Sequence, residues 1–340
     1  MSYTGAGKKF MDVVTYTGND SSQSIGGLDF SPDLVWIKNR GAVSNHRIYD
    51  TIRGASNHLY SNLTNAEAST SNTLSAFNSD GFDVSGTGID TNASGSEYVA
   101  WTWDAGSSTV TNNDGSITSQ VRANPSAGFS IVSYTGDGSS GATIGHGLNA
   151  APYLMLVKSR SDSAYWEVYH SSIGNTKTLY LNTTDSEQTS SASWNNTTPS
   201  STVFTVGNGS GVNTLSSTYV AYCWAPVEGY SAFGSYTGNG STDGPFVYTG
   251  FRPKFLLVKL SSGSTDNWFI QDTSRSPSNV SVNTLSPDNT NTESSGTFNS
   301  VDILSNGFKL RDSNQNFNGN TYTYVYVAFA ENPFKTARAR

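Results

Sequence analysis

At 340 residues, with a formal net charge of −7 and a pI near 5.0, the chain has room for two or three domains but too few clustered Lys and Arg for a nucleic-acid or anionic-membrane surface. A single cysteine, Cys223, rules out an intrachain disulfide framework and argues against a thiolate metal site. Only 13% of residues are charged and 12% are aromatic, and no stretch sustains apolar spacing at the helical period, so the expectation is an all-β chain whose turns are written in Gly, Asn and Ser.

Residues 1–11 form an N-terminal segment with two lysines but no apolar stretch after them. The expectation is a protein made in a cytoplasm without a secretory signal or membrane insertion. Three landmarks then recur in fixed order. Tyr-Thr-Gly begins at 16, 134 and 236; a proline is followed six residues later by a lysine at Pro32/Lys38, Pro152/Lys158 and Pro253/Lys259; Tyr-Val-Ala begins at 98, 219 and 326. The copies are collinear, which predicts a repeat over 12–108, a bridging hairpin over 109–127 turning at Asn113-Asp114-Gly115, a second repeat over 128–228, a third over 229–334 and a basic tail over 335–340.

Each copy is about 100 residues, too long for a solenoid unit and suited to a small independent domain. In the second copy, strands are expected near 129–134, 143–147, 153–158, 166–169, 178–181, 203–206 and 218–224. About seven short strands with polar turns is the signature of an antiparallel sandwich, so the predicted architecture is three tandem β-sandwich domains, of jelly-roll or concanavalin-like type, arranged as beads on a string.

The strand after each proline, "LVWIK", "LMLVK" and "FLLVK", is apolar on both faces until its lysine, which is expected to snorkel or pair at the strand end. The closing strand carries large residues on one face, as in Val99, Trp101 and Trp103, and smaller ones such as Ala100 and Thr102 on the other. Cys223 occupies a slot held by Thr102 and Ala330 in the other copies, and is a packing residue. Tyr-Thr-Gly is read as the end of the opening strand, and the Asn or Asp with Gly or Ser that follows it as the turn, because Gly takes positive φ freely and Asx side chains bond locally to the backbone.

The candidates for chemistry are sparse. Alignment of the landmarks pairs His46 with Trp166 and Trp268, and His170 with Asp50 and Asp272, so no histidine position persists, and His46, His58, His146 and His170 are read as surface or strand-end residues. The carboxylates Asp80/Asp83 and Glu67/Asp50 are candidate pairs for glycoside chemistry, and 79–92 has oxygen spacings that could hold Ca²⁺, but turn capping accounts for them better. Trp36, Trp101, Trp103 and Trp224 sit on predicted core strands. Trp166, Trp194 and Trp268 lie in less regular sequence and are the candidate ligand-binding residues, as platforms for glycan stacking. No catalytic residue, metal ligand or cofactor site is assigned.

Several stretches carry a resemblance: 117–160, 31–55, "SDGFDVSG" with "YVAWTWDAG" over 79–106, and "YVAFAENPFKTARAR" at the end. Together they resemble the repeated modules of tailed-bacteriophage virion proteins, especially those of phages infecting marine cyanobacteria. The resemblance implies a β-sandwich module on tail fibres, tail tips or other external virion sites, with host attachment as its role and no catalytic residues to carry over. The partners it implies are other virion proteins, a host-surface glycan or receptor, and further copies of the chain, with a trimer favoured. Capsid decoration or a connector role is the alternative, followed by a glycan-degrading enzyme.

Overall fold

A computed structural model describes residues 9–296 and 298–333; the basic tail at 335–340 lies outside the described residues. The fold is all-β, with antiparallel pairing throughout its sheets and, among the described residues, two four-residue helical turns, Ser191–Trp194 and Gln315–Asn318. In the second repeat the seven expected strands occur as Phe129–Thr135, Ala142–Gly145, Leu154–Ser159, Glu167–His170, Lys177–Tyr180, Val203–Val206 and Thr218–Trp224.

Every repeat pairs a large sheet with a small one. In each large sheet the closing strand lies between the opening strand and the strand that follows the proline, giving Met11–Thr17, Glu97–Trp103, Leu34–Asn39 and Arg47–Asp50 as consecutive neighbours in the first copy. The register is the same in all three. Tyr16 faces Tyr98, Tyr134 faces Tyr219 and Tyr236 faces Tyr324, while Lys38, Lys158 and Lys259 face Val99, Val220 and Val325. The small sheet holds Gln23–Ile25, Gly81–Val84 and Leu74–Asn78 in the first repeat, and has two strands in the second and three in the third. The 109–127 segment forms a hairpin of Thr109–Asn112 and Ser119–Asn124 that extends the large sheet of the second repeat.

The two faces of the closing strand serve two different cores. Tyr98 and Ala100, with their counterparts Tyr219, Ala221 and Cys223 and Tyr324, Tyr326 and Ala328, face the small sheet of their own repeat, where small side chains let the second layer approach. The large residues point the other way. Val99, Trp101, Trp103, Val220, Tyr222, Trp224, Val325, Val327 and Phe329 belong to one buried cluster drawn from all three repeats. Its rings interlock across repeat boundaries: Trp103 lies 5.9 Å from Trp224, 5.6 Å from Phe255 and 5.8 Å from Phe329 between centroids, each edge to face. The repeats are therefore not beads on a string. Each large sheet is apolar on both faces, and only the other two repeats can cover the second.

The turn after Tyr-Thr-Gly is built as expected, with Asn19, Asp137 and Asn239 accepting from the N–H of Ser21, Ser139 and Ser241, and the motif itself has a further physical basis. Its tyrosine stacks on the closing-strand tyrosine at 5.1, 5.2 and 5.0 Å in the three copies. The opening-strand hydroxyls donate to the carbonyls of Thr91, Val212 and Phe317. The glycine does not adopt positive φ. A Cβ at Gly18, Gly136 or Gly238 would lie 2.2, 2.3 or 2.2 Å from the carbonyl oxygen of Ala93, Thr214 or Gly319, so the residue is glycine because another backbone passes against it. Positive φ falls two residues later, at Asp20, Gly138 and Gly240.

Two outcomes follow. Because the three repeats share one core, calorimetric unfolding will show a single transition with calorimetric and van't Hoff enthalpies equal; three resolved transitions would contradict the shared core. Gly136→Ala will lower the stability measured by urea unfolding by about 1–3 kcal/mol through overpacking, although alanine fits the φ of the site.

Candidate functional site

The three tryptophans expected to stack on glycans are all buried: Trp166 and Trp194 are 0% exposed and Trp268 is 1%. None presents a ring face to solvent. Trp194, at the end of a helical turn, packs edge to face on Tyr169 inside the second sandwich, 5.8 Å between centroids. Trp166 and Trp268 work at the seams between repeats. The Trp166 indole donates to the Tyr60 carbonyl at 2.8 Å, joining repeat two to repeat one, and Trp268 donates to the Tyr180 carbonyl at 2.9 Å, joining three to two. In the aligned position, His46 faces the Ser286 backbone of the third repeat. Its Nδ1 accepts from the Trp36 indole, which places the ring proton on Nε2.

These contacts belong to a ring of three seams with the same backbone bonding. Glu67 N–H donates to Arg160 C=O and Ala164 N–H to Thr64 C=O; Glu187 donates to Ser261 and Asp266 to Thr184; Glu293 donates to Arg40 and Ser44 to Thr290. Repeat one is bonded to two, two to three and three to one, so the ring is closed. The post-proline lysines are buried in it rather than snorkelling. Lys38 Nζ donates to the carbonyls of Ser44, at 3.0 Å, and Thr290, at 3.3 Å, and Lys259 Nζ donates to the carbonyls of Thr184 and Asp266. Burial pulls Lys38 and Lys158 down to about 8, against the weaker opposing fields of Asp90 and Asp162, so both stay charged at neutral pH.

The second aligned position, Asp50/His170/Asp272, lies at the same seams. Asp50 accepts from the Tyr222 hydroxyl at 2.7 Å and pairs with Arg53, which also reaches Glu67 at 3.1 Å. Arg160 of the second repeat closes that network on Glu67 at 2.9 Å. Between repeats three and one, Asp272 accepts from the Trp101 indole at 3.0 Å and pairs with Arg275 at 2.6 Å, while Arg275 and Arg40 both bind Glu293. The candidate carboxylates Asp50 and Glu67 are thus held by arginines; burial would raise Glu67, but Arg160 and Arg53 more than offset it and leave it low. Among the described residues the third seam has no arginine bridge. Ile173 stands where Arg53 and Arg275 do, and His170 Nε2 lies 3.1 Å from the Tyr326 carbonyl while Nδ1 accepts from Ser172 N–H.

The other chemistry candidates do not assemble. All four histidines are buried, which corrects the surface part of their reading, although His170 does end its strand; desolvation draws His58 and His170 down to about 4 and lowers His46 and His146 as well. In the 79–92 stretch, Asp90 is taken by Arg47 at 2.9 Å and Asp83 accepts from Asn78. Among the described residues no group of three or more His, Cys, Asp or Glu side chains could hold a metal ion, and no helix is long and apolar enough to cross a membrane.

Sequence reasoning missed a further repeated device. Asn92, Asn213 and Asn318 are fully buried behind the loop that follows Tyr-Thr-Gly. Their side-chain oxygens accept from the backbone N–H of Asn19, Asp137 and Asn239, and their amides donate to the carbonyls of Ser21, Ser139 and Ser241. The signal was available, since each asparagine stands six residues before the closing-strand tyrosine.

Over residues 6–333 the chain matches a family model described as a domain of unknown function, DUF7483. The chain belongs to that family. No curated protein and no solved structure matches it. The DUF7483 match spans all three repeats and the bridging hairpin together, in keeping with a core that no single repeat completes.

The histidine seam gives a pH prediction. His170 has a folded pKa near 4, below its unfolded value of about 6.5, so its contribution is fully present above about pH 6.5 and is lost as pH falls toward 4. The stability advantage of the wild type over His170→Gln will shrink by on the order of 3 kcal/mol across that window in urea titrations. A difference that stays constant with pH would contradict the neutral buried imidazole.

Proposed function

We propose that this DUF7483 protein is a non-catalytic structural and attachment component of a bacteriophage particle, located at a tail fibre or tail tip and contacting a host-surface glycan. The observation that carries this reading is the closed ring itself. His46 and His170, the arginines at two seams and the aromatic core are spent on holding three repeats together. What remains outside is a low-charge surface of turns, hydroxyls and amides. Such a surface suits hydrogen-bonded recognition in a saline medium, where charge-based attachment is screened. The resemblance of its repeats to tailed-phage virion modules points the same way.

The ring also bears on assembly. A lone repeat would need partners to cover the Trp103, Trp224 and Phe329 face, but here the other two repeats already cover it. One chain thus supplies what a trimer of single repeats would. The reading therefore predicts a solution mass of 36.2 kDa by light scattering, with a single chain seated on a tail fibre or tip built by another protein, in place of the trimer expected from the sequence. This observation keeps the decoration or connector role as a second reading of the same particle protein.

Immunogold labelling of purified phage, with antibodies raised against the protein, tests the assignment. Labelled tails support attachment, labelled heads support decoration, and unlabelled particles overturn both. Release of reducing sugar from host envelope polysaccharide by the purified protein would instead favour the glycan-degrading alternative.

A further inference from the structure

The three repeats share one backbone bonding pattern at their seams, and they differ on the outer face of the small sheet. The pairings Ile25 with Phe82, Ile144 with Phe204 and Val247 with Phe308 align the copies residue by residue. On either side of that buried aliphatic position, repeat one has Ser24 and Gly26 and repeat two has Thr143 and Gly145. Repeat three has Phe246 and Tyr248. These two rings are 44% and 67% exposed, while Val247 between them is buried. Strand alternation puts both on the same outward face, about 6.8 Å apart along the chain.

The surroundings hold the rings against backbone. A Cβ at Gly307 would lie 3.0 Å from the Phe246 ring, and one at Gly250 would lie 3.6 Å from the Tyr248 hydroxyl, so both aromatics lie over glycines with their other side open. Lys309 stands opposite Phe246 where the other repeats have Asp83 and Thr205. Two residues on, Arg311 lines a cleft of about 450 Å³ whose walls include the exposed Phe298 and Val280.

We propose that this face is an oligosaccharide-binding platform, in which Phe246 and Tyr248 stack on sugar rings and Lys309, Asp302 and Arg311 hydrogen-bond the hydroxyls. The proposal rests on the attachment reading and names the surface that performs it. Size and charge select this occupant. A stable protein partner needs about 800 Å² per side, whereas two part-exposed rings offer at most a few hundred. A nucleic acid would need free cations for its phosphates, but Lys309 is paired with Asp243 at 2.9 Å and Arg311 with Asp302 at 2.5 Å. A saccharide, with apolar C–H faces and a rim of hydroxyls, uses both the rings and the neutralised polar pairs.

The test is affinity electrophoresis of the full chain in gels containing, separately, xylan, laminarin, alginate, dextran and purified bacterial lipopolysaccharide. Retardation of the wild type by at least one of these is expected. Phe246→Ala/Tyr248→Ala will weaken it tenfold or more at unchanged thermal stability, while Phe246→Tyr/Tyr248→Phe and Ser24→Ala retain it. Equal retardation of the double alanine variant, or no retardation of the wild type by any of the five, overturns the platform. Labelled particles with either of those results leave the virion reading standing without it. Unlabelled particles, with retardation that the double variant loses, leave the sugar site standing without the virion.

Discussion

Everything in this molecule follows from sheets that are apolar on both faces. A sandwich of one large and one small sheet satisfies the inner face of the large sheet and leaves the other exposed. In an isolated repeat that face would present Trp101 and Trp103, or their counterparts, to water. Burying an aromatic side chain of this size contributes several kcal/mol, comparable with a large part of the net stability of a domain. Three such faces turned inward on one another solve the problem once, in the cluster that joins Trp103, Trp224 and Phe329. The repeat is a structural unit but not a stability unit.

Closing the ring has a polar cost that the seams meet with hydrogen bonds. Each seam buries a lysine whose ammonium would be expensive without acceptors, and backbone carbonyls provide them. Each seam also carries two reciprocal backbone bonds, which fix the relative register of neighbouring repeats. Beyond that common set the seams diverge. Two use an aspartate, arginines and a glutamate, arranged so that every buried charge has a partner, whereas the third uses a neutral imidazole beside an isoleucine. Breaking a buried charge network by removing one partner leaves an uncompensated charge, so the arginine seams depend on all their members, whereas the histidine seam joins its repeats through apolar packing, backbone bonds and the Lys259 ammonium on the Thr184 carbonyl.

Much of this was written plainly in the sequence, and the rest was hidden for identifiable reasons. Strand positions in the second repeat were legible because turn residues punctuate apolar runs at every boundary. Two-faced apolar strands were legible too, as was the alignment of His46 with Trp166 and of His170 with Asp50. What the pattern could not convey was the partner of the second face. A strand covered by another repeat reads like one covered by its own domain, and the bead arrangement resulted. Trp166, Trp194 and Trp268 misled for a related reason: Trp194 stands among short polar residues at a helical turn, and Trp166 and Trp268 stand at strand starts whose indoles are covered by another repeat. The close backbone approach at Gly18, Gly136 and Gly238 stayed hidden because such a glycine leaves the same letter as one that turns the chain.

The contrast between seam and surface decides where recognition can reside. Seam positions answer to two repeats at once, so a change at Arg160 or Asp272 disturbs a neighbour and the ring. Outer-face positions on the small sheet answer to their own repeat alone, and there the chain has placed Ser24, Thr143 and Phe246 at one aligned site. The loops beside that face are already fixed, since Asn318 pins the turn after Tyr236 and the stacked Tyr236 and Tyr324 lock the strands beneath it. A ligand meeting Phe246 and Tyr248 would therefore order little of the protein on binding, and more of the stacking energy would remain as affinity. Threefold repetition supplies the rigidity, and the departure from it in the third repeat supplies a distinct surface.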